Sequence, residues 1–348
     1  MSIKLLFLGF FLGAWVGLGA IQAEAAQTQP YVAGTILTTA QYGDKTFVGG
    51  TFDSIGQLTG PLGLVDATSG NLSKAFSQIT GTVLTITPDS RGGWFIGGVD
   101  NSSRGFLVRL KSDMSLDSSF GSNLSINGSV HTVAVHNNLI YFGGQFTKVN
   151  GQDRKALAAV DLTSNQLYND LAIYLNPNEG NPNVQALIAS RGVLYIAGAF
   201  ESIKGVPRRG VAAIDGAGAV SDFTIVMPDQ YDVTAILPVV DGVIISIRTR
   251  VNGSTFAGWL VKYNSKTKLV AWSQRIENSA SALFDYRGVA YTNVQRSTGG
   301  QGFAQFAYGT AFDQATGKVL PWDPHTDGQI TSIAVNGQSV YIGGYFRE

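Results

Sequence analysis

Short apolar runs that end at a pair of small residues recur along the chain, separated by polar segments. The phrase LIYFGGQFTKVNGQDRKALAAVDL begins at Leu139, and a closely similar phrase, VLYIAGAFESIKGVPRRGVAAID, begins at Val193. In both, a strand-like run rich in aromatic and β-branched residues leads through a Gly-containing loop to a second apolar run. Such runs, bounded by Gly, Asn and Asp, are typical of β-strands joined by turns. The pattern predicts β-structure.

The phrase belongs to a longer repeat that carries the signals of four strands. Its small pair recurs every 46 to 54 residues, with first members Gly49, Gly97, Gly143, Ala197, Ile247, Asn293 and Gly343. Four short strands at a period in this range are the signature of a β-propeller blade, which buries its faces only against its neighbours. We therefore predict an all-β fold, a β-propeller of about seven four-stranded antiparallel blades with the last blade incomplete.

The opening strand of each unit is predicted to be innermost. These strands are expected to start near Ile36, Val83, Val130, Val184, Val233, Ala280 and Ile330. The seventh unit reaches VYIGGYFRE, just beyond its second strand, so we expect an exposed edge after Tyr345. On this interpretation the natural protein continues past Glu348 with a third strand, and further C-terminal modules follow.

Composition supports one β-rich domain over residues 31–348. The 348 residues include 43 glycines, 44% are hydrophobic and only 14% are charged. The formal net charge is zero, which offers no electrostatic footprint for nucleic acid, so no nucleic-acid partner is expected. The chain has no cysteine, which excludes disulfides, thiol catalysis and thiolate metal ligands.

Residues 1–25 have the pattern of a signal peptide. Lys4 precedes a long apolar run, and small residues at Ala23 and Ala25 predict cleavage after Ala25 or Ala26. An uncleaved membrane anchor is the alternative, because the run is near the lower length limit of a span. We expect an exported protein, extracellular, at the cell surface or in the periplasm, with no membrane insertion after cleavage.

Three motifs give the chain a resemblance to a known family. They are GGWFIGG from Gly92, FLVRLKSDMSLDSSF from Phe106, and the phrase from Leu139. The chain resembles the delta-60 repeat family of bacterial surface proteins, with kelch repeats as a neighbouring interpretation. The fifth and sixth units depart from the family pattern, since one has lost the Gly pair and the other has moved it. The resemblance implies a secreted or surface-displayed propeller, commonly joined to other modules in adhesin-like proteins, without known catalytic residues.

Residues that recur in several units are interpreted mainly as structural. The Gly pairs are expected where the backbone passes close to a neighbouring blade. The aromatics beyond them, Phe52, Phe146, Phe200 and Phe346, are expected to pack between blades rather than bind a ligand. Arg154 and Arg208, with Arg104 as a possible equivalent, are expected to bond loop carbonyls or Asp161 and Asp215. The alternative is a ring of guanidinium groups ready for carboxylates or sugars.

The sequence offers little catalytic chemistry. His131 and His136 are expected on opposite faces of one strand-turn, and no nucleophile elbow, zinc-protease or calcium-loop motif occurs. The stretch WDPHTDG alternates Asp323, His325 and Asp327, a loose metal-ligand pattern that turn chemistry explains better. No cofactor, no metal and no catalytic residue are predicted.

Two functions remain open at this stage. The favoured one is a non-enzymatic binding or adhesion module that recognises a protein or glycan through its loop face. The alternative is an exported polysaccharide hydrolase or lyase with a carboxylate site at the propeller axis. The candidate binding residues are aromatic or basic side chains that break the repeat, namely Arg209, Tyr231, Arg248, Arg250, Trp322 and His325.

Overall fold

The structure is a computed structural model of the chain. It describes residues 2–5, 32–66, 71–121, 124–168, 173–174, 182–225, 231–251, 255–276, 279–297, 306–322, 324–336 and 339–345. Within these ranges all regular structure is β, and no helix occurs. No helix in the described part is long and apolar enough to cross a membrane.

Six small antiparallel sheets form six blades of a propeller. Blade 1 orders Val32–Tyr42, Lys45–Ile55, Leu62–Asp66 and Leu72–Ala75, with the short Gln57–Leu58 against its second strand. Blade 2 orders Thr82–Pro88, Trp94–Val99 and Gly105–Leu110. Blade 3 orders Val130–His136, Leu139–Gly144, Leu157–Asp161 and Leu167–Tyr168.

The second half of the chain repeats this arrangement. Blade 4 orders Asn183–Ser190, Val193–Ala199 and Val211–Ile214. Blade 5 orders Tyr231–Val239, Gly242–Val251, Thr255–Asn264 and Leu269–Ile276. Blade 6 orders Leu283–Tyr286, Val289–Ser297, Phe306–Asp313 and Val319–Leu320.

The seventh unit contributes a hairpin, which we call the closing hairpin. It pairs Gln329–Asn336 with Ser339–Tyr345, and Ser2–Leu5 pairs in parallel with the second of these strands. Short ribbons occur beside the blades, formed by Lys148–Val149 with Gln152–Asp153 and by Ile173–Tyr174, Ser202–Ile203 and Val206–Pro207. The prediction of an all-β propeller is therefore confirmed, whereas a count of seven blades is not.

The opening strands lie side by side around the axis. Each packs beside the opening strand of the next unit, and Gln329–Asn336 packs beside Val32–Tyr42, which closes the circle. The predicted starts fall within the observed opening strands except at Ala280, three residues before Leu283. There the Asn293 side chain accepts hydrogen bonds from the backbone N–H groups of Ser281 and Ala282. These bonds replace the strand ladder at that point.

Blades 2 and 4 have three strands, so the prediction of four in every blade is wrong for the described residues. In both, the fourth strand is reduced to one bridge, Leu110 with Leu116 and Ile214 with Val220. The chain turns away just after each bridge. In blade 2, the Asp117 carboxylate accepts the N–H of Ser119, which fixes that turn.

The first glycine of each pair makes room for the next unit. A Cβ at Gly97 would lie 2.7 Å from Cγ1 of Val130, and one at Gly143 would lie 2.4 Å from Cγ1 of Val184. Carbon atoms pack at about 3.5–4 Å, so any larger residue would collide with the neighbouring inner strand. The predicted close approach between blades is confirmed at these positions.

The same contact closes the circle. A Cβ at Gly343 of the closing hairpin would lie 2.5 Å from Cγ2 of Ile36 in blade 1. The Thr331 hydroxyl also donates to the Ile36 carbonyl across this junction. The closing hairpin therefore docks on blade 1 with the geometry that joins complete blades.

Blade 5 solves the same packing problem with a different pair of residues. In blade 3, Gly143 pairs with Thr132, the first paired residue after the bulge of the inner strand. The corresponding pair in blade 5 is Ser246 with Ala235, so Ser246 is the equivalent of Gly143. The sequence alignment on Ile247 was thus wrong by one residue. The Ser246 hydroxyl accepts the Ala280 N–H at 2.7 Å. Because the next unit has alanine instead of valine there, the serine side chain fits.

The hydrophobic core is divided into clusters between neighbouring units. Six of the seven described clusters contain residues of two adjacent units. Phe146 and Phe200 are buried in two of them, which confirms their predicted packing between blades. Phe52 lies in the seventh cluster, whose described members all belong to blade 1. Phe346 lies outside the described residues.

The predicted signal peptide falls mostly on residues that the structure does not describe. Ser2–Leu5 is the described part, and its backbone forms a strand on the closing hairpin. Cleavage after Ala25 or Ala26 would remove this strand. Export therefore stays a prediction.

The first test concerns the contact between glycine and valine. We expect Gly143→Ala to lower the free energy of unfolding by about 2 kcal/mol, because its Cβ overlaps Val184. The matched control is Gly216→Ala, whose Cβ would have 3.7 Å to its nearest neighbour, and it should change stability by no more than about 0.5 kcal/mol. Urea unfolding measures both.

A double-mutant cycle locates the effect. Val184→Ala removes Cγ1, the atom that the new methyl group meets most closely, and leaves Cβ in place. The loss of stability in the double variant should therefore be smaller than the sum of the two single losses by about 1 kcal/mol. Additive losses would show that the two residues do not oppose each other.

Candidate binding face

The ends of the strands define two faces of the propeller. The loop face carries the loops between second and third strands and the connections between units. The turn face carries the turns between first and second and between third and fourth strands. Neighbouring strands run antiparallel, so these two sets of connections lie at opposite ends of each blade. All six candidate residues belong to elements at the loop-face end.

Two candidates, Arg209 and Tyr231, contact each other across the boundary of blades 4 and 5. The Arg209 guanidinium carbon lies 5.6 Å from the centroid of the Tyr231 ring, a cation–π geometry. The Tyr231 hydroxyl donates a 2.8 Å hydrogen bond to the Arg209 carbonyl oxygen. Burial raises the pKa of Tyr231 to about 12, against a smaller opposing effect of Arg209. The phenol is therefore a neutral donor at physiological pH.

Arg248 lies on the neighbouring strand of blade 5, Gly242–Val251, and its side chain is on the opposite face of the sheet from Tyr231. It pairs directly with Asp232, and its Nη2 lies 2.8 Å from Asp232 Oδ2. Tyr231 and Asp232 are consecutive strand residues, so their side chains leave opposite faces of the strand. With 42% of each side chain exposed, the ion pair is worth at most about 1 kcal/mol. Arg250 lies opposite Phe256 on the backbone ladder, and its side chain lies outside the described residues.

Trp322 and His325 occupy a different boundary, between blade 6 and the closing hairpin. The Trp322 ring packs edge to face on Tyr291, with centroids 5.2 Å apart. A Cβ at Gly309 would lie 3.1 Å from this indole, so the ring also rests on the blade 6 backbone. His325 is exposed, with a left-handed φ of 55°. Trp322 and His325 thus lie at a different blade boundary from Arg209 and Tyr231, and Trp322 has a clear packing role.

The structure reveals a polar ring that sequence reasoning missed. We call the inner-strand residue that packs on the second strand of the preceding unit, such as Val130 or Val184, the inner-strand contact residue. In every unit, the residue just before it is polar, and most of these polar residues are half-buried. We call the set the mouth ring: Thr35, Thr82, Ser129, Asn183, Asp232, Ser279 and Gln329. Its members lie at or near the loop-face ends of the inner strands, around the axis. The signal was present in the sequence, since each of these residues precedes a predicted strand start.

His131 extends the mouth ring in blade 3. Its Nε2 lies 2.8 Å from the Ser129 hydroxyl. Burial lowers the pKa of His131, and the Asn183 side chain across the blade boundary acts in the opposite direction without reversing the effect. The imidazole is therefore neutral at physiological pH, and Asp232 is the sole charged member of the ring.

The repeated arginines bond loop carbonyls, as one interpretation predicted. Arg154 donates to the Asp153 carbonyl at 2.8 Å, and Arg208 donates to the Ser221 carbonyl at 2.6 Å. Asp161 and Asp215 instead accept backbone N–H groups in turns at the opposite face. Arg104 pairs with Asp100 within its own loop.

A charged cluster on the turn face is structural. Asp89, whose side chain is fully buried, accepts the N–H groups of Arg91 and Gly93 at 2.7 Å and pairs with Arg109. Arg109 also reaches Asp117 at 3.3 Å. Burial raises the pKa of Asp89, but the bonds from Arg109 and the two backbone groups outweigh it and lower the pKa. Both carboxylates are occupied, which leaves neither free for proton transfer.

The described residues contain no group of three or more possible metal ligands. Asp323 of the WDPHTDG stretch lies outside them. A cavity of about 330 Å³ opens at the outer edge of blade 5, at the low end of the size of small-molecule sites. Its lining comprises Asp222, Thr224, Tyr263, Lys268, Leu269 and Val270.

Comparison with known proteins supports the fold. Residues 92–120, within blade 2 and just after it, match a family described as a domain of unknown function, DUF5122 beta-propeller, which is of the delta-60 repeat type. This stretch supports the resemblance, and kelch repeats are not confirmed. A search of the curated proteins finds no match.

Solved propellers match over most of the chain. The computationally designed Ika8 protein and Sqt1 of Saccharomyces cerevisiae align with 12% and 11% identity, a TM-score of 0.53 each, and 90% of this chain and 94% of theirs. A chain of the mitotic checkpoint complex aligns with 11% identity and a TM-score of 0.53, over 95% of this chain and 93% of its own. At 11–12% sequence identity, this structural similarity shows the fold and nothing about function.

The second test concerns Asp89. We expect Asp89→Asn to lower the free energy of unfolding by about 3 kcal/mol at pH 7. The substitution removes the carboxylate that pairs with the largely buried guanidinium of Arg109. The folded-state pKa of Asp89 is depressed, so its contribution is fully present above the unfolded pKa of about 3.9 and declines as pH falls from there through the lower folded-state pKa. Urea unfolding at pH 7 and pH 3 should show the difference between the two proteins shrinking at pH 3.

Asp113→Asn is the control, since Asp113 is exposed and bonds mainly Ser115. It should change stability far less at both pH values. An Asp89→Asn effect that is equal at pH 7 and pH 3 would contradict the role of the ionised carboxylate.

Proposed function

We propose that the chain is an exported, non-enzymatic binding module that recognises a glycan or a protein through its loop face, at the cell surface or in the periplasm. The propeller fold supports a binding module in general. The observation that carries the proposal is the mouth ring, which gathers one polar side chain from each unit around one axis, a hydroxyl or an amide in every unit except blade 5.

The chemistry of the mouth ring favours a glycan over a charged ligand. Hydroxyl and amide groups donate and accept hydrogen bonds without a net charge, as sugar hydroxyls require. Tyr231 and Arg209 stand beside the ring at the boundary of blades 4 and 5, where an aromatic surface with polar edges is suited to a sugar face. Export is supported by the apolar leader with small residues at its end.

The alternative, a hydrolase or lyase that acts on polysaccharide at the axis, has less support. Glycoside hydrolysis uses two carboxyl groups that flank the scissile bond. The mouth ring contains one carboxylate, Asp232, which is paired with Arg248. The binding interpretation needs no such pair.

The third test measures binding of the full chain to an array of purified glycans and neutral polysaccharides. We expect Asn183→Ala and Tyr231→Ala to weaken the strongest interaction about tenfold each, since each removes a group at the mouth. Arg104→Ala is the matched control, because Arg104 lies in a loop of the same face and is exposed. It should stay within about twofold of the wild type.

Three outcomes would count against the proposal. One is the absence of saturable binding to any glycan on the array and to any protein in a matched surface-protein panel. A second is binding that all three variants retain unchanged. A third is hydrolysis of a bound polysaccharide that Asp232→Asn abolishes, which would favour the enzyme.

A further inference from the structure

A small cavity lies between blades 3 and 4 on the turn face. Its volume is about 160 Å³, which is close to that of an engineered apolar cavity of about 150 Å³ that binds benzene. The blade 4 wall is the turn at residues 216–218, where a Cβ at Gly218 would meet no atom within 4 Å. The corresponding turn of blade 3, residues 162–165, has the larger side chains of the sequence LTSN. The space therefore exists because the blade 4 turn carries almost no side chain.

Hydrogen bonds hold this wall in place and occupy its acceptors. The Asn137 amide of blade 3 donates to the Gly216 carbonyl at 2.7 Å. The Lys204 ammonium, on the hairpin between the second and third strands of blade 4, donates to the Gly218 carbonyl at 3.0 Å. Because both carbonyl groups already have donors, the wall favours a bound molecule that accepts hydrogen bonds over one that donates them.

A buried phenol lines the cavity without a hydrogen-bond partner. Tyr141 is 3% exposed, and its hydroxyl makes no hydrogen bond within the described part of the chain. Burial raises the pKa of Tyr141 to about 12, and the Tyr168 phenol adds to the rise, so Tyr141 is a neutral donor at physiological pH. Phe47 and Phe95 hold the same position in blades 1 and 2, so packing between blades needs the ring and not the hydroxyl. A buried donor without a partner is unfavourable, and a ligand that accepts from it relieves that cost.

The rest of the lining combines one positive charge with apolar surface. Lys204 contributes an ammonium group and Tyr168 an exposed phenol, whereas Leu139 and Ile214 belong to the apolar cluster between the two blades. No described lining residue carries a carboxylate. The neighbouring Asp215 carboxylate accepts two N–H groups of its own turn, at 2.9 and 3.0 Å. The lining thus offers donors and a cation beside an apolar surface.

We propose that this cavity is a binding site for a small organic carboxylate whose apolar body is about the size of a benzene ring. The carboxylate accepts a hydrogen bond from the Tyr141 hydroxyl and is attracted by the Lys204 ammonium, while the apolar body packs on Leu139 and Ile214. A neutral ligand lacks the attraction to the ammonium, and an amine would place a second cation beside it. The site lies on the turn face, so it is separate from the mouth ring and does not depend on what binds there.

The probe is benzoate, which joins a benzene ring to a carboxylate. An NMR titration of the full chain at pH 7 should show saturable binding with a Kd of about 1 mM or tighter, which a ligand of this size can reach. Benzamide and benzyl alcohol keep the ring and remove the charge, so each should bind at least about tenfold more weakly. Benzylammonium, with the opposite charge, should show no saturable binding.

Single substitutions test the two polar contacts. Tyr141→Phe removes only the hydroxyl and should weaken benzoate binding about tenfold. Lys204→Gln removes the charge and should also reduce most of the preference for benzoate over benzamide. The matched control is Tyr195→Phe, at the same position of blade 4 but outside the cavity lining, which should stay within about twofold of the wild type. Asn183→Ala should leave benzoate binding unchanged, which separates this site from the mouth ring.

Hydrogen exchange locates the bound probe without any variant. With saturating benzoate, exchange should slow in residues 137–141 and 215–218 and stay unchanged in residues 191–195, the counterpart of the first segment in blade 4. Absence of saturable benzoate binding, equal affinity for benzoate and benzamide, or equal losses in Tyr141→Phe and Tyr195→Phe would overturn the proposal. Protection confined to residues of the loop face would assign the probe to the mouth ring and would also overturn it.

Discussion

The propeller depends on one steric contact, repeated between successive units. A small residue on the second strand of one unit receives a branched side chain from the inner strand of the next, as Gly143 receives Val184. The contact is dense, so the two residues must be sized together. The Ser246–Ala280 pair shows this, since a larger residue on one side accompanies a smaller one on the other. The contact between Gly343 and Ile36 extends the series across the junction of the chain ends.

This contact explains where variation is tolerated. The inner-strand contact residues are buried and apolar in every unit, whereas the position just before each of them contributes its side chain to the mouth ring. A rigid ring of inner strands thus presents a set of side chains that packing does not determine. Binding residues are commonly placed in this way, on variable positions that a fixed scaffold holds. His131 and Asn183 illustrate the result, because they meet across a blade boundary.

The sequence predicted the features that follow from local sterics. The period, the glycine positions and six of the seven inner-strand starts were correct. At these glycines a larger side chain would collide with a branched residue of the next inner strand, so few other residue types fit. Features that depend on a partner strand were missed, including the role of Ser246 and the absent fourth strand of blade 2. At the site, the contact between Arg209 and Tyr231 joins two candidates that the sequence offered separately. Trp322 instead packs on Tyr291 at the boundary between blade 6 and the closing hairpin. This boundary differs from those between complete blades, so a residue that departs from the repeat can have a packing role there.

Hydrogen exchange of the inner strands measures ring closure most directly. We compare Val32–Tyr42, Val130–His136 and Gln329–Asn336 in the wild type and in Gly343→Val, which overlaps Ile36 at the junction. If the glycine contacts join the units into one closed ring, the substitution should accelerate exchange in all three strands, including Val130–His136 on the far side. Faster exchange confined to Gln329–Asn336, with Val130–His136 unchanged, would contradict a ring stabilised by its closure.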